Sequence, residues 1–250
     1  MKVVATYSIK GGVGKTATAV NLAWSSADAG IETLVWDLDP QGAATFYFRI
    51  KPKVKGGAKA LVSGRRVLDD VIKATDFDQL DLVPADFSYR NLDLVLDDAD
   101  RPTRAIRQVL RNVRDEYELT VLDCAPSISL VSENVFAVAD ALLVPLIPTT
   151  LSMRTFEQLR RFLADEGLDG RVTVLGFFSM AEPRKRLHRE LMDECRAAHP
   201  DLLETVIPSA SDVERMGVHR LPVGAFAGSS RAAAAYASLW SEVSDRLSLR

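Results

Sequence analysis

The chain has 250 residues, of which 47% are hydrophobic and 26% are charged, and this composition is enough to build a sizeable folded core. Its formal net charge of −3 excludes a protein that binds nucleic acid through its overall charge, but leaves room for a local basic patch. No apolar stretch approaches the roughly 20 residues that a membrane-spanning helix needs, and the first residues lack the layout of a signal peptide.

Short apolar runs alternate along the chain with longer segments of helical periodicity. The predicted strands cover residues 2–8, 33–37, 80–84, 119–123, 141–146, 172–178 and 205–207. The predicted helices cover residues 15–29, 103–116, 130–138, 155–166, 187–199 and 230–247. This alternation predicts an α/β fold with a mostly parallel, twisted sheet covered by helices on both faces. Since no repeat or long linker interrupts the pattern, we expect residues 1–250 to form a single domain.

The segment at residues 49–66 departs from this pattern because it contains seven basic residues and no acidic residue. It also contains three glycines, which predicts a mobile surface loop or a loose pair of helices inserted in the domain. Such a segment is either a solvated insertion or a contact surface for an anionic partner, including DNA.

Residues 9–16 read Ile-Lys-Gly-Gly-Val-Gly-Lys-Thr and lie directly between the first predicted strand and the first predicted helix. Glycines allow a tight turn whose backbone N–H groups point inward, and the helix adds the positive end of its dipole. This arrangement predicts a phosphate-binding loop in which Lys15 contacts the β- and γ-phosphates and the Thr16 hydroxyl binds Mg²⁺. The strict phosphate-loop pattern is not met, because Ile9 replaces its first glycine and an additional lysine, Lys10, follows.

Three aspartates stand where predicted strands end. Asp37 and Asp39 lie two positions apart, so both side chains point toward the same side of the sheet edge. Asp123 ends an apolar strand, which is where nucleotide-binding proteins place an acid that holds Mg²⁺, usually through water. The alternative is that each of them is a plain strand-end or turn acid.

Residues 10–16, KGGVGKT, resemble the deviant Walker A motif of the ParA/MinD family of ATPases, and residues 37–42, DLDPQG, resemble its first switch. Residues 123–127, DCAPS, resemble its second switch, although Ala125 replaces the first of two usual prolines. The resemblance spans nearly the whole chain and is loose over residues 49–99. It implies a P-loop NTPase fold of the deviant Walker type, ATP and Mg²⁺ as cofactors, and slow hydrolysis in a homodimer that forms on ATP binding.

The same resemblance implies which residues bind the nucleotide. They form the loop and the start of the helix after it: Lys10, Gly11, Gly12, Val13, Gly14, Lys15, Thr16 and Ala17. Lys15 would contact the nucleotide of its own subunit, whereas Lys10 would reach across the dimer interface to the nucleotide of the other subunit. The family often has a threonine where this chain has Ala17, so we expect that residue's contact with the α-phosphate to be missing, although Thr18 is nearby.

Further roles follow from the resemblance. Asp39 would position the attacking water, because hydrolysis needs an oriented water more than a strong base. The residues implied to hold or support Mg²⁺ are Thr16, Asp37 and Asp123. Pro208 and Ser209 follow the last predicted strand and are the candidates for contact with the adenine base.

The family uses ATP-dependent dimers to position cargo such as plasmids, chromosome origins or protein assemblies. The resemblance therefore implies a cytoplasmic protein that binds DNA without sequence preference, associates with the nucleoid, and is stimulated to hydrolyse ATP by a ParB-like or adaptor protein. The candidate DNA-binding residues are Arg184, Lys185, Arg186, Arg189 and Arg215. The chain has Ser209 and Asp212 where the family often has arginines, so either Arg215 and Arg220 compensate or DNA binding is weak.

Three alternative functions compete with this one. A MinD-like positioning ATPase would need a lysine-rich amphipathic helix at its C-terminus, whereas residues 240–250 suit core packing, so membrane binding is not expected. A metal-cluster ATPase would need cysteine ligands, but Cys124 and Cys195 lie in no ligand pattern and indicate reduced cytosolic thiols. The third alternative is a regulatory ATPase that binds only proteins and no DNA.

Overall fold

The computed structural model describes residues 1–199 and 201–249, and this part of the chain is built around one sheet of eight strands. The strands are β1 (Lys2–Thr6), β2 (Thr33–Asp37), β3 (Lys73–Ala74), β4 (Leu80–Val83), β5 (Leu119–Asp123), β6 (Ala141–Leu146), β7 (Thr173–Ala181) and β8 (Val206–Pro208). Their order across the sheet is β3-β4-β2-β5-β1-β6-β7-β8. Every neighbouring pair is parallel except β3 and β4. The predicted α/β fold with a mostly parallel sheet is therefore confirmed.

Eleven α-helices connect the strands in the described part of the chain. They are α1 (Lys15–Asp28), α2 (Ala43–Tyr47), α3 (Gly57–Val62), α4 (Leu92–Asp97), α5 (Ala105–Leu110), α6 (Leu130–Val138), α7 (Thr150–Asp165), α8 (Arg186–Ala198), α9 (Ser211–His219), α10 (Val223–Ala227) and α11 (Arg231–Leu247). The long helices were predicted from their periodicity. The prediction did not include α2, α4, α9 and α10, which are five to nine residues long, and it covered α3 only through the alternative of a helix pair at residues 49–66.

Each face of the sheet carries its own hydrophobic core. Successive residues of a strand point to opposite faces, so Val3 and Ala5 of β1 enter one core and Val4 enters the other. The first core lies beneath α3 to α8, and the second lies beneath α1, α2 and α9 to α11. Helices therefore cover both faces, as the alternating sequence pattern predicted.

The register of the three central strands brings polar side chains together. Thr6 at the end of β1 and Asp37 at the end of β2 are both paired with Asp123 at the end of β5. All three side chains are fully buried at the carboxyl edge of the sheet. In open α/β sheets this edge is where ligands bind.

The predicted helix at residues 103–116 is wrong in its extent, because α5 covers only its middle and is flanked by a 3₁₀ turn on each side. Asn134 of α6 fixes the first turn through its side-chain amide. The amide donates to the Pro102 carbonyl at 2.6 Å and accepts from the Ile106 N–H at 3.2 Å. A tertiary contact therefore decides where the helix begins.

Two other boundaries also differ from the prediction. Helix α7 starts five residues before the predicted residue 155, because the Thr149 hydroxyl caps it by accepting from the Ser152 N–H at 3.2 Å. Strand β7 continues beyond residue 178 to Ala181, with an irregularity at Met180, whose φ is +53°. This irregularity separates two paired stretches that the sequence pattern did not join.

The basic segment at residues 49–66 is neither an open loop nor a pair of helices in the structure. It contains one short helix, α3, and it places the side chains of Val54, Ala58 and Leu61 in the first core. The charged residues between them stay on the outside. The segment is thus a packed part of the fold with a basic outer face.

Candidate nucleotide-binding site

The loop between β1 and α1 is shaped by its glycines. Gly12 and Gly14 have φ values of +72° and +96°, a left-handed conformation that favours glycine. A Cβ atom on Gly14 would also lie only 3.0 Å from the Ser179 hydroxyl of β7. Gly14 precedes α1 without any side-chain cap, so the N–H groups of the first helical turn are available to a ligand.

The two lysines of the loop have different surroundings. Lys15 is only 7% exposed, and its Nζ donates to the main-chain carbonyl of Lys10 at 3.1 Å. Burial lowers the pKa of the Lys15 amine, while the carboxylate of Asp123 opposes this shift. Lys10 is half-exposed and forms no ion pair within the described residues. Lys15 therefore points into the site, and Lys10 is accessible from outside it.

The start of α1 presents few polar side chains to the loop. Val13 is buried and anchors the loop to the protein, whereas Thr16 and Ala17 are half-exposed. Thr18 is fully buried, and its hydroxyl donates to the Gly14 carbonyl at 2.8 Å. Because that hydroxyl already donates a hydrogen bond inside the helix, Thr18 does not take the place of the threonine that the family often has at the position of Ala17.

Asp123 carries an unsatisfied buried oxygen. Its Oδ1 accepts from the Thr6 hydroxyl at 3.3 Å, but its Oδ2 has no hydrogen-bond partner among the described residues. Burial raises the pKa of Asp123 well above the usual value, and the neighbouring Asp37 raises it further. An unpaired carboxylate oxygen in such a place is costly unless a cation or a donor approaches it.

Asp37, by contrast, is held firmly by hydrogen bonds. Its Oδ2 accepts from both the backbone N–H and the hydroxyl of Thr45, at 2.8 and 2.7 Å, and its Oδ1 accepts from the Asp39 N–H at 3.2 Å. Burial raises the pKa of Asp37 to about 6, although these hydrogen bonds lower it. These contacts make Asp37 a fixed anchor for the loop after β2.

Asp39 begins a tight turn on the side of the site next to Asp37. Its side chain accepts from the Gln41 N–H at 2.9 Å, and its carbonyl accepts from the Gly42 N–H at the same distance. The residue is half-exposed. Asp39 is thus oriented by its own turn and accessible to solvent, as a residue that positions water would be.

The residues present fit a nucleoside triphosphate with Mg²⁺. The loop offers uncapped backbone N–H groups and two lysines for phosphate oxygens. The orphaned oxygen of Asp123 and the hydroxyl of Thr16 are oxygen donors of the kind that Mg²⁺ prefers. Burial beneath the loop disfavours a bare carboxylate and therefore favours a bound cation there.

Comparison with known proteins identifies the family. The sequence model of an AAA domain matches residues 1–165. The chain is 30% identical over 212 residues to the chromosome partitioning protein ParA of Myxococcus xanthus, covering 83% of this chain and 75% of that protein. The chain belongs to the ParA/MinD family of ATPases.

One further relative agrees with this membership, and one solved structure agrees with the fold. The sporulation initiation inhibitor protein Soj of Bacillus subtilis is 28% identical over 247 residues, which cover 97% of this chain and 98% of Soj. A crystal structure of cobyrinic acid a,c-diamide synthase from Mycobacterium smegmatis with ADP and magnesium superposes with a TM-score of 0.83 at 22% identity. It covers all of this chain and 96% of that one, and at this identity the likeness shows the fold alone.

Pro208 and Ser209, the predicted adenine contacts of this ParA/MinD-family chain, lie at the carboxyl edge of the sheet, which is also the edge of the phosphate loop. The Ser209 N–H donates to the Ala181 carbonyl at 2.8 Å, which joins the ends of β8 and β7. Pro208 is half-buried and Ser209 is exposed. Met180 is 41% exposed on this edge; the sequence pattern gave no sign of its left-handed backbone.

The predicted DNA-binding residues lie around the start of α8 and on α9, and all of them are exposed. Lys185 pairs with Glu182 at 2.6 Å, and Arg186 pairs with Glu190 at 2.6 Å. Of the remaining predicted residues, Arg189 donates to the Pro183 carbonyl at 2.8 Å. Arg184 and Arg215 form no ion pair within the described residues. Glu182 and Glu190 therefore neutralise part of the positive charge of these predicted DNA-binding residues. No helix in the described part of the chain is both long and apolar enough to cross a lipid bilayer.

Two supporting residues were not predicted from the sequence. Thr45 connects Asp37 to the loop after β4, because its hydroxyl also accepts from the Ala85 N–H at 2.8 Å. Tyr7 holds the loop after Asp123, since its hydroxyl donates to the Ser127 carbonyl at 2.9 Å. Burial raises the pKa of Tyr7 to about 12, so it stays protonated as a donor. Neither residue belongs to a motif, and only the folded chain brings them to the site.

Proposed function

We propose that this protein is a ParA-like ATPase that dimerises on ATP, binds DNA without sequence preference and positions or segregates a cargo. The observation that carries this proposal is the pair of lysines in one loop, of which Lys15 points into the site and Lys10 is accessible from outside it. Two lysines from two subunits would neutralise the charge that develops on the transferred phosphoryl group.

The loop residues 10–17 would hold the phosphates, and Pro208 and Ser209 would contact the base. Thr16 and Asp123 would hold Mg²⁺, with Asp37 as a support, since its oxygens already accept three hydrogen bonds. Bound Mg²⁺ would neutralise phosphate charge during hydrolysis. Asp39 would orient the attacking water from its position beside the loop.

Proteins of this family generally dimerise and interact with ParB-like partners. We therefore infer that hydrolysis is slow and that a ParB-like or adaptor protein stimulates it. The chain would form a single domain, since all eight described strands share one sheet. The protein would act in the cytoplasm, and its DNA binding would place it on the nucleoid.

A second candidate function has one observation in its favour. Two of the five predicted DNA-binding residues are paired with neighbouring glutamates, which weakens their attraction to phosphates. This favours a regulatory ATPase that works only with proteins. A filter-binding titration with duplex DNA and ATP separates the two functions. An ATPase that binds DNA retains it, and this retention falls steeply as the salt concentration rises, whereas an ATPase that works only with proteins retains no DNA.

The role of Lys10 is tested by mixing two inactive variants before ATP is added. In a dimer of one Lys10→Ala and one Asp39→Ala subunit, the Lys10→Ala subunit keeps its own Asp39 and receives Lys10 from its partner. One of the two sites is then intact, so random pairing predicts about a quarter of the wild-type turnover. If Lys10 acts only within its own subunit, the mixture hydrolyses no more ATP than the two variants alone.

A further inference from the structure

A large groove lies away from the nucleotide-binding loop, between α3, α4 and α5. It has a volume of about 640 Å³ and is lined by α3 with the turn after it, the end of α4 and part of α5. Leu61 and Leu68 form a buried apolar floor, while Val67 and Leu94 are 41% and 69% exposed at its walls. An exposed side chain such as Leu94 gains burial only if something occupies the groove.

The charged residues of the groove are separated by sign. Lys59 and Arg66 come from α3 and the turn after it, whereas Asp98 and Asp100 come from the end of α4 and the residues beyond it. Lys59, Asp98 and Asp100 are exposed and form no ion pairs within the described residues. An occupant that complements this pattern has an apolar face with an acidic residue on one flank and a basic residue on the other.

An amphipathic helix provides such a surface, because residues three and four apart form an apolar stripe with polar flanks. A nucleic acid does not match the groove, since it offers no apolar face and is repelled by the two aspartates. A flat lipid surface does not match it either, because the apolar residues line a concave surface.

Hydrogen bonds connect the wall of this groove to the nucleotide site. Thr45 bridges Asp37 and the Ala85 N–H. The next residue, Asp86, accepts from the Val54 N–H at 2.8 Å and from the Ser88 N–H at 2.9 Å.

The path then reaches α3. The Ser88 hydroxyl accepts from the Ala58 N–H, in the first turn of α3, at 2.9 Å. Although burial raises it, the pKa of Asp86 stays below its usual value because of these hydrogen bonds. The path from Asp37 to α3 therefore runs through the Thr45 hydroxyl, along the chain from Ala85 to Asp86, and through Ser88.

We propose that this groove is the docking site for an amphipathic helix of a partner protein, and that the docked helix acts on the ATPase site through α3 and the residue 85–88 loop. The docking itself does not depend on the proposed ATPase function, whereas its effect on turnover does. The partner's helix carries an acidic flank toward Lys59 and a basic flank toward Asp98 and Asp100.

Three synthetic amphipathic helices with the same leucine stripe test the docking. Their flanks carry only glutamate, only lysine, or glutamate on one side and lysine on the other, and fluorescence anisotropy measures their affinity for the full chain. We expect the mixed peptide to bind roughly fivefold more tightly than either of the others. Lys59→Glu should shift the preference to the all-lysine peptide, and the double variant Asp98→Lys, Asp100→Lys should shift it to the all-glutamate peptide.

Leu94→Ser should weaken the mixed peptide about tenfold, because an apolar contact at the groove wall is lost. Leu151→Ser is the matched control, since Leu151 is 56% exposed but lies on α7 outside the groove. Equal affinity for the three peptides, or no binding at all, overturns the docking site. Self-association of the free protein that disappears in Leu94→Ser would make a second copy the occupant and would also overturn it.

ATP turnover in the presence of saturating mixed peptide tests the connection to the site. We expect a change of at least about twofold in the wild type and none in Leu94→Ser. Peptide binding without any change in turnover overturns the connection and leaves the ATPase function standing. Absence of ATP hydrolysis with and without peptide would instead count against the proposed function.

Discussion

The phosphate loop at residues 9–16 and the basic segment at residues 49–66 are both rich in glycine and lysine, but only the loop has a buried lysine. Lys15 is buried and donates to the main chain of its own loop. The lysines of the basic segment are exposed, and its backbone depends on Asp86 and Ser88, which belong to another loop. The first region thus holds its shape with its own residues, and the second takes its shape from its neighbours.

This difference separates the region that we propose binds the nucleotide from the region that we propose connects to it. Two of the loop's glycines, Gly12 and Gly14, have left-handed conformations that favour glycine, and the main-chain carbonyl of Lys10 accepts a hydrogen bond from Lys15. The basic segment is fixed at two hydrogen-bonded points and otherwise presents charge to solvent, which is why we propose that it connects the groove to the site. The following predictions test this division.

The largest effect is expected at Asp39, after the end of β2. Asp39→Ala should lower ATP turnover about 1,000-fold, because the attacking water loses its orientation while the phosphate loop is unchanged. The variant should therefore accumulate as an ATP-bound dimer, measured by size-exclusion chromatography with light scattering. A variant that stays monomeric with ATP would contradict this role, and Asp78→Ala, an exposed acid before β4, is the control.

Packing of the basic segment is tested next. Leu61→Ala should lower the free energy of unfolding by about 3 kcal/mol, because Leu61 is 3% exposed within the first core. Lys55→Ala, an exposed neighbour in the same segment, should change it by less than about 0.5 kcal/mol. Urea unfolding measures both, and equal small effects would mean that the segment is loose in solution.

Removal of the Thr45 hydroxyl tests the connection between the regions. Thr45→Val should lower the free energy of unfolding by about 2 kcal/mol, because it leaves the buried Ala85 N–H without its acceptor and removes a donor from Asp37. Thr155→Val is the matched control, since that hydroxyl only donates to the Leu151 carbonyl of its own helix. A loss no greater than in the control would remove Thr45 from the path.

Asp123→Asn should stabilise the metal-free protein by about 1.5 kcal/mol at pH 8, because it removes a buried carboxyl group of which one oxygen has no hydrogen-bond partner among the described residues. The folded-state pKa of Asp123 is raised, so its destabilising charge is present above that pKa and disappears as the pH falls through it. The advantage of the variant should therefore shrink toward pH 4.

Urea unfolding with a chelator measures this difference. Adding Mg²⁺ with ATP should stabilise the wild type more than the variant. A variant that is less stable than the wild type at pH 8 without metal would show that the carboxylate has a partner in solution.

The smallest effect is expected at the basic cluster before α8. Arg184→Glu should weaken DNA retention about fivefold at low salt, because one exposed arginine among partly neutralised neighbours is reversed in charge. Arg171→Glu is the control, since Arg171 is exposed at the opposite end of β7. Filter binding measures both variants, and equal losses would mean that DNA does not contact this cluster.

The sequence by itself was sufficient for the α/β class, the long helices, the central strands and the family. It was sufficient because the periodicities of 2 and 3.6 residues and the glycine-rich loop are local features. The strands at residues 33–37, 119–123 and 141–146 were predicted to the residue. The candidate roles of Lys10, Lys15 and Asp39 also came from one short stretch each, and they stay predictions until the variants are measured.

Which oxygens of the site have hydrogen-bond partners depends on contacts between separate parts of the chain. Whether Asp37 or Asp123 has a free oxygen depends on Thr45 and Thr6, which come from other elements of the fold. The same holds for the basic segment, in which Ser88 accepts from the first turn of the short helix and Asp86 accepts from the Val54 N–H before that helix. A helix of six residues gains too little from its own hydrogen bonds to be stable alone, so its sequence carries only a weak signal.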